Sequence, residues 1–172
     1  VSIAERRVVR TIPFATSIAD IVFTPDSVLG FCLSGSTISV IDVPGATIVN
    51  TVRVTGAPTK VAISRTGDRL FATAAFIEPF TSITTARIGI AIIDTSSLAT
   101  VGYIPYAGPG STRLMTNLIV HPTQNTLIAT YRGERGYEAF DLATRPLAGT
   151  FVPTTPGIED TYVIAIGTFP RA

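Results

Sequence analysis

Short stretches of alternating apolar and polar residues run along most of the chain, and Gly, Pro, Asn and Asp separate them. Alternation with a period of two residues is typical of half-buried β-strands. One arrangement recurs four times: an apolar strand, a short polar turn and a second apolar strand. These predicted hairpins join residues 1–3 with 8–12, 38–42 with 48–52, 90–94 with 100–104, and 137–141 with 147–151.

A second kind of hairpin lies between these. In it, an alternating strand leads through a tight turn into another strand, at residues 20–24 with 29–33, 60–64 with 70–73, and 117–120 with 127–130. Pro25, Gly67 and Pro122 stand in the turns, where their backbone preferences suit a reversal of the chain. Two hairpins make one four-stranded antiparallel sheet. The repeat length of about 40 to 50 residues is that of a β-propeller blade.

Composition excludes several classes of protein. The chain has 172 residues, 46% of them hydrophobic and 15% charged, which indicates a folded domain. A net charge of +1 without a basic block gives no reason to expect a nucleic-acid partner. No apolar run reaches the length that a membrane-spanning helix needs. Cys32 and His121 are the only cysteine and histidine. We therefore expect no disulfide framework, no metal site and no cofactor.

Over nearly its whole length, with residues 61–109 as the example, the chain resembles the repeat of the YVTN and lactonase-like β-propellers, a WD40-like family. The family's turn corresponds to Thr24-Pro25-Asp26-Ser27, Ser64-Arg65-Thr66-Gly67 and His121-Pro122-Thr123-Gln124 in this sequence. Its Ile-Asp motif corresponds to Ile41-Asp42 and Ile93-Asp94, with Phe140-Asp141 as a weaker match, and Gly56-Ala57-Pro58 matches its Gly-x-Pro. The resemblance implies an all-β fold, a β-propeller of four-stranded antiparallel blades.

The repeats divide the chain into one propeller segment of about three full blades with partial blades at both ends. We predict the end of a blade at 1–16, blades at 17–57, 58–110 and 111–156, and the start of a further blade at 157–172, where 162–169 forms a strand. Propellers of the resembling family have about seven blades. We therefore expect a larger propeller, completed by further sequence, by a separate polypeptide or by a second copy.

Asp42, Asp94 and Asp141 follow the third strand of each blade. Their carboxylates are expected to accept hydrogen bonds from backbone N–H groups of the next turn, a structural role that we favour over catalysis. His121 is expected to be a turn residue that packs on Pro122. Cys32 lies in an apolar run and is expected in the core.

Candidate binding residues collect on the loops at one mouth of the predicted channel, where propellers commonly bind partners. Asp20 and Lys60 begin channel-lining strands. An insertion at 74–87 is predicted to form an extended hairpin or loop over this face, with aromatic side chains that could anchor a partner. The candidates are Asp20, Lys60, Phe76, Glu78, Phe80, Arg113, Arg132, Glu134 and Arg135. The alternative interpretation is that the charged residues among them form a solvated, salt-bridged rim around the channel mouth.

Three classes of function remain open. The first, which we favour, is a non-enzymatic module that binds a protein or carbohydrate partner through this loop face. The second is a lactonase-like or other hydrolase with its site at the central channel, although no acidic, Arg and His set can be matched residue by residue. The third is a purely structural part of an assembly. An extracellular, periplasmic or cell-surface location is expected.

Overall fold

The computed structural model describes residues 7–8, 10–76, 87–105, 115–132, 136–143 and 149–153. Within these residues the secondary structure consists of twelve β-strands, arranged in three four-stranded antiparallel sheets. Each sheet is the unit that the repeats predict for one blade, so the all-β class is confirmed.

The strands follow one another in chain order. Sheet 1 contains β1 (Asp20–Phe23), β2 (Leu29–Ser34), β3 (Thr37–Asp42) and β4 (Thr47–Arg53). Sheet 2 contains β5 (Val61–Ile63), β6 (Arg69–Phe76), β7 (Arg87–Asp94) and β8 (Thr100–Pro105). Sheet 3 contains β9 (Met115–Val120), β10 (Thr126–Tyr131), β11 (Gly136–Asp141) and β12 (Gly149–Pro153). The six hairpins predicted between residues 20 and 151 all form.

The predicted insertion at 74–87 is in part a regular strand pair. Strands β6 and β7 pair without interruption from Arg69 opposite Asp94 to Phe76 opposite Arg87. Phe76, which we assigned to a loop, therefore ends a strand, because the antiparallel ladder continues past the predicted hairpin. The intervening residues 77–86 lie outside the described part of the chain, and their position over the channel stays a prediction.

Apolar side chains fill the space between sheets 1 and 2. Phe31, Leu33 and Ile38 of sheet 1 pack with Leu70 and Ile93 of sheet 2. All five have no exposed surface. Burial of each such side chain contributes about 1.5–3 kcal/mol. This layer fixes sheet 2 face to face with sheet 1.

A second apolar layer joins sheets 2 and 3. Phe71 and Ile90 come from the opposite face of sheet 2, and Leu127 and Phe140 come from sheet 3. Sheet 2 is therefore covered on both faces. Strand β1 contacts β5, and β5 contacts β9. The sheets thus meet along their first strands, as blades do around a propeller axis.

The face of sheet 1 that is turned away from sheet 2 exposes apolar surface. Ile21 is 41% exposed and Phe23 is 47% exposed. They pair with Cys32 and Gly30 respectively. A Cβ atom on Gly30 would lie 3.0 Å from the Phe23 ring, so the glycine leaves the room that this ring occupies.

The N-terminal segment departs from the predicted strand at 8–12. Residues 10–19 form no strand, and Arg7 makes an isolated bridge. The Arg10 guanidinium donates to the carbonyl oxygen of Gly45 at 2.8 Å, and the Ala19 amide donates to Leu33 at 2.8 Å. These bonds hold the segment along sheet 1. Pro13 has no backbone N–H and so cannot donate a hydrogen bond in a β-ladder. The predicted strand partner at 1–3 and the predicted strand at 162–169 lie outside the described residues.

Candidate functional site

The antiparallel order gives the sheets two ends. We call one the loop end: it carries the starts of β1, β5 and β9 and the β2–β3 turn at residues 35–36. We call the other the turn end. It carries the first turn of each sheet, at residues 24–28, 64–68 and 121–125, and the turns between third and fourth strands. The candidate binding residues were predicted for the loop end.

Three different polar residues occupy one repeated position at the loop end. Asp20, Lys60 and Asn117 each lie four residues before the first turn of their sheet, and all three are half-buried. Because β1, β5 and β9 are neighbours, these positions adjoin one another near the axis. The side chain at this repeated position is thus anionic in sheet 1, cationic in sheet 2 and neutral in sheet 3.

Asp20 and Asn117 use their side chains inside the fold. The Asp20 Oδ2 atom accepts a hydrogen bond from the backbone N–H of Val61 at 3.1 Å, which ties the first strand of sheet 1 to that of sheet 2. The Asn117 Nδ2 atom donates to Thr130 Oγ1 at 3.3 Å. These two residues therefore help to fix the geometry at the mouth.

Among the described residues, Lys60 forms hydrogen bonds through its backbone, whose N–H donates to Thr73 Oγ1 at 3.2 Å. The same hydroxyl oxygen accepts the N–H of Thr59 at 2.7 Å, so the backbone around Lys60 is anchored twice. Within the described residues, no hydrogen-bond acceptor or carboxylate pairs with its ammonium group. A rigid backbone thus presents a cation at the loop end.

The remaining candidates divide into two groups. Phe76 ends β6 at the loop end, and the exposed Arg132 directly follows β10 there. Glu78, Phe80, Arg113, Glu134 and Arg135 lie outside the described residues. The structure thus brings Asp20, Lys60, Phe76 and Arg132 to one end of the sheets.

At the turn end, the repeated aspartates act as predicted. Asp42 Oδ2 accepts the N–H of Gly45 at 2.9 Å, and Asp141 Oδ1 accepts the N–H of Ala143 at 2.9 Å. Asp94 Oδ1 accepts the N–H groups of Ser96 at 3.1 Å and of Ser97 at 2.9 Å. The predicted backbone hydrogen bonds of these carboxylates are confirmed.

Asp94 carries additional bonds that the sequence does not predict. The Ser96 hydroxyl donates to it at 2.6 Å, and Arg69 forms an ion pair with its other oxygen. The hydroxyl of Ser96, followed by the N–H of Ser97, holds the pKa of Asp94 far below its usual range. Asp94 is therefore an anion that anchors its turn at neutral pH.

The first turn of each sheet is built around a side-chain acceptor at its first residue. Thr24 Oγ1 accepts the N–H of Leu29 at 3.0 Å, and Ser64 Oγ accepts the N–H of Arg69 at 2.9 Å. In sheet 3, His121 Nδ1 accepts the N–H of Gln124 at 3.1 Å. The assignment of His121 to a turn is confirmed, and its ring nitrogen serves the turn.

A carboxylate completes the first turn in sheets 1 and 2. Asp26 Oδ1 accepts the Val28 N–H at 3.0 Å, and Asp68 Oδ1 accepts the Ser64 hydroxyl at 2.7 Å. The Thr24 hydroxyl, followed by the Val28 N–H, lowers the pKa of Asp26. The hydroxyls of Thr66 and Ser64 lower the pKa of Asp68. Both turns therefore carry a negative charge at neutral pH.

One buried polar pair was missed by the sequence reasoning. Glu138 is 1% exposed and accepts a hydrogen bond from the hydroxyl of Tyr131, which is 4% exposed. Glu138 alternates with Tyr137 and Ala139 and so shares a strand face with the core residue Phe140. The sequence does carry a signal for this pair, because Glu138 is a charged residue at a position that alternation assigns to the core.

Cys32 has no exposed surface, as predicted for a core residue. Burial, followed by the nearby charge of Asp20, raises the pKa of its thiol. The described residues contain no group of three or more His, Cys, Asp or Glu side chains that could hold a metal ion. In the same part of the chain, no helix is long and apolar enough to cross a membrane.

Solved structures identify the fold. No family model and no curated protein matches the sequence. The chain is similar in structure to the β-propeller domain of Cps50 (Swd1) from Myceliophteria thermophila, with 12% identity, a TM-score of 0.63, and coverage of 87% of this chain and 43% of that one. It is also similar to the Pan2 WD40 domain of Neurospora crassa, with 14% identity, a TM-score of 0.66, and coverage of 91% and 46%.

A third similar structure is the dihydro-heme d1 dehydrogenase NirN in complex with DHE, with 16% identity, a TM-score of 0.64, and coverage of 83% of this chain and 30% of that one. At such low identities the similarity shows the fold alone. The chain folds as part of a β-propeller and spans less than half the length of these proteins.

Proposed function

We propose that this chain is a non-enzymatic β-propeller module that binds a protein partner through its loop end. The observation that carries the proposal concerns Lys60: the residue is half-buried, its backbone is fixed by Thr73, and its ammonium group has no partner among the described residues. A cation on a rigid strand suits a carboxylate of a partner. Arg132, exposed at the same end, adds a second positive charge.

The polar groups of the turn end bear on the hydrolase alternative. In Asp42, Asp94 and Asp141 a carboxylate oxygen accepts hydrogen bonds from backbone N–H groups, and in His121 the Nδ1 atom does the same. A general acid or base must be free to reach a substrate. These groups bond within their own turns, so the turn end gives no separate support to a lactonase-like enzyme.

We also propose that further blades pack on sheet 1. Ile21 and Phe23 expose apolar surface on the face that has no sheet against it among the described residues. In a propeller, that face belongs against the neighbouring blade. Further sequence, a separate polypeptide or a second copy would supply the cover. The YVTN relationship remains a proposal that rests on the turn and Ile-Asp motifs.

Reversing the charge of Lys60 should abolish partner binding. We expect Lys60→Glu to lose at least one protein that copurifies with the wild-type chain from its native cells, because the partner's carboxylate would meet a like charge. Quantitative mass spectrometry of the purified complexes measures the loss. A roughly tenfold or greater decrease corresponds to about 1.4 kcal/mol of binding free energy.

Arg53→Glu is the matched control. It makes the same charge change at an exposed residue that ends β4, the outermost strand of sheet 1, close to the loop end but away from the axis. We expect this variant to keep the copurifying protein. Equal recovery of the copurifying protein with both variants would contradict the loop-end proposal. If the protein is lost only after glycosidase treatment, the partner is a carbohydrate instead.

A further inference from the structure

A groove with both polar and apolar lining residues lies at the turn end, between sheets 1 and 2. Thr24, Pro25 and Asp26 form one wall, and Thr66, Gly67 and Ser96 form much of the other. Its volume is about 360 Å³, within the size range of small-ligand sites. The groove lies at the end of the sheets opposite Lys60, so it belongs to a different surface from the proposed loop-end site.

The next junction along the chain, between sheets 2 and 3, is bridged by an arginine. Arg65 is the second residue of the first turn in sheet 2, and its Nη1 atom donates to the carbonyl oxygen of Thr123 in sheet 3 at 3.1 Å. Thr123 is the third residue of the corresponding turn. A guanidinium from one turn thus reaches the backbone of the next turn.

The groove lies at the corresponding junction between sheets 1 and 2, where no arginine occupies the equivalent position. Pro25 occupies in sheet 1 the position of Arg65 in sheet 2, and Thr66 occupies in sheet 2 the position of Thr123 in sheet 3. The Pro25 ring lies against Gly67: its Cδ atom is 3.1 Å from where a Cβ would be. Proline has no donor to offer, and no described residue donates to the Thr66 carbonyl oxygen.

Asp26 adds a charge beside this unused acceptor. Its Oδ1 atom accepts bonds from Thr24 and Val28, while its Oδ2 atom receives no donor from the described residues. Asp26 and Thr66 both line the groove, so its lining residues include a carboxylate oxygen and a backbone carbonyl oxygen that accept no bond from the described residues. A guanidinium has several donors in one plane and can bond to both acceptors at once.

We propose that this groove binds an arginine side chain of a protein partner, in the place that Arg65 takes at the next junction. The partner's guanidinium donates to Asp26 Oδ2 and to the Thr66 carbonyl oxygen. The junction between sheets 2 and 3 shows that such a bridge can form between two turns, and Pro25 supplies no donor at the equivalent position. The site would give the molecule a second interaction surface, at the turn end.

Ligand-observed saturation-transfer NMR tests this proposal on the full chain in whatever assembly it forms. The probe is N-acetyl-arginine amide, and the citrulline analogue, which has the same shape without the charge, is the matched ligand. We expect transfer to the arginine probe and little to citrulline. Asp26→Asn should weaken the arginine affinity about tenfold, because it removes a charge-assisted bond and keeps the Oδ1 contacts.

Pro25→Arg is the second variant. Its own guanidinium should bridge to Thr66, as Arg65 does to Thr123, and should abolish transfer to the probe. Pro122→Arg makes the same change in the first turn of sheet 3 and should leave transfer unchanged. Absence of transfer to the arginine probe, equal transfer to citrulline, or full transfer in both Asp26→Asn and Pro25→Arg would overturn the proposal. Loss of copurification in Lys60→Glu has no bearing on this result, so the two surfaces are tested separately.

Discussion

Replacing Phe31 by alanine is expected to lower the free energy of unfolding by about 3 to 5 kcal/mol. The Phe31 side chain has no exposed surface and lies in the apolar layer between sheets 1 and 2. Its removal leaves a cavity between two sheets that are held apart by the surrounding side chains. Urea unfolding followed by circular dichroism measures the change.

Phe23→Ala is the matched control, since it makes the same truncation in the same sheet. Phe23 lies on the opposite face and is 47% exposed. In the isolated chain its replacement should cost less than about 1 kcal/mol, because little buried surface is lost. Equal destabilisation by the two variants would contradict the packing described here. In the complete propeller the cost of Phe23→Ala should rise, because a further blade would bury the ring.

Tyr131→Phe is expected to lower the free energy of unfolding by about 2 kcal/mol. The change removes the hydroxyl that donates to Glu138, and it leaves the ring in place. Glu138 is 1% exposed, so water cannot replace the lost donor. A buried acceptor without its hydrogen bond carries the cost of desolvation.

Two further variants separate this hydrogen bond from general effects. Tyr137→Phe removes a hydroxyl from a half-buried residue on the other face of β11, and it should change stability by less than about 0.5 kcal/mol. Glu138→Gln keeps an oxygen that can accept the Tyr131 hydroxyl and should cost less than Tyr131→Phe. If Tyr131→Phe were as stable as Tyr137→Phe, the hydrogen bond between Tyr131 and Glu138 would not contribute to stability.

The strands could be predicted because their signals are local. The alternation from Asp20 to Phe151 and the turn residues at Pro25, Gly67 and Pro122 fix both the hairpins and their order. The repeated aspartates were also predictable, since each carboxylate bonds within a few residues of itself. Local chemistry repeated at a fixed spacing needs no knowledge of tertiary packing.

The contacts between sheets could not be predicted in the same way. Arg65 meets Thr123 across 58 positions of sequence, and Asp20 meets Val61 across 41. Such pairs depend on how two sheets are stacked, which no local pattern states. The end of the β6 ladder at Phe76 was misjudged because its pairing with Arg87 depends on the register of a long hairpin.

Sedimentation velocity directly tests the proposal that further blades pack on sheet 1 in a larger propeller. The isolated chain of 172 residues should associate, with a sedimentation coefficient that rises with concentration, because the half-exposed Ile21 and Phe23 present apolar surface at the first strand of sheet 1. Supplying the further blades, as additional sequence or as a separate polypeptide, should abolish this association, whereas completion by a second copy should give a dimer of fixed mass. A single monomeric species of 18.1 kDa that unfolds cooperatively, at a midpoint independent of concentration, would contradict the account and favour closure within this chain.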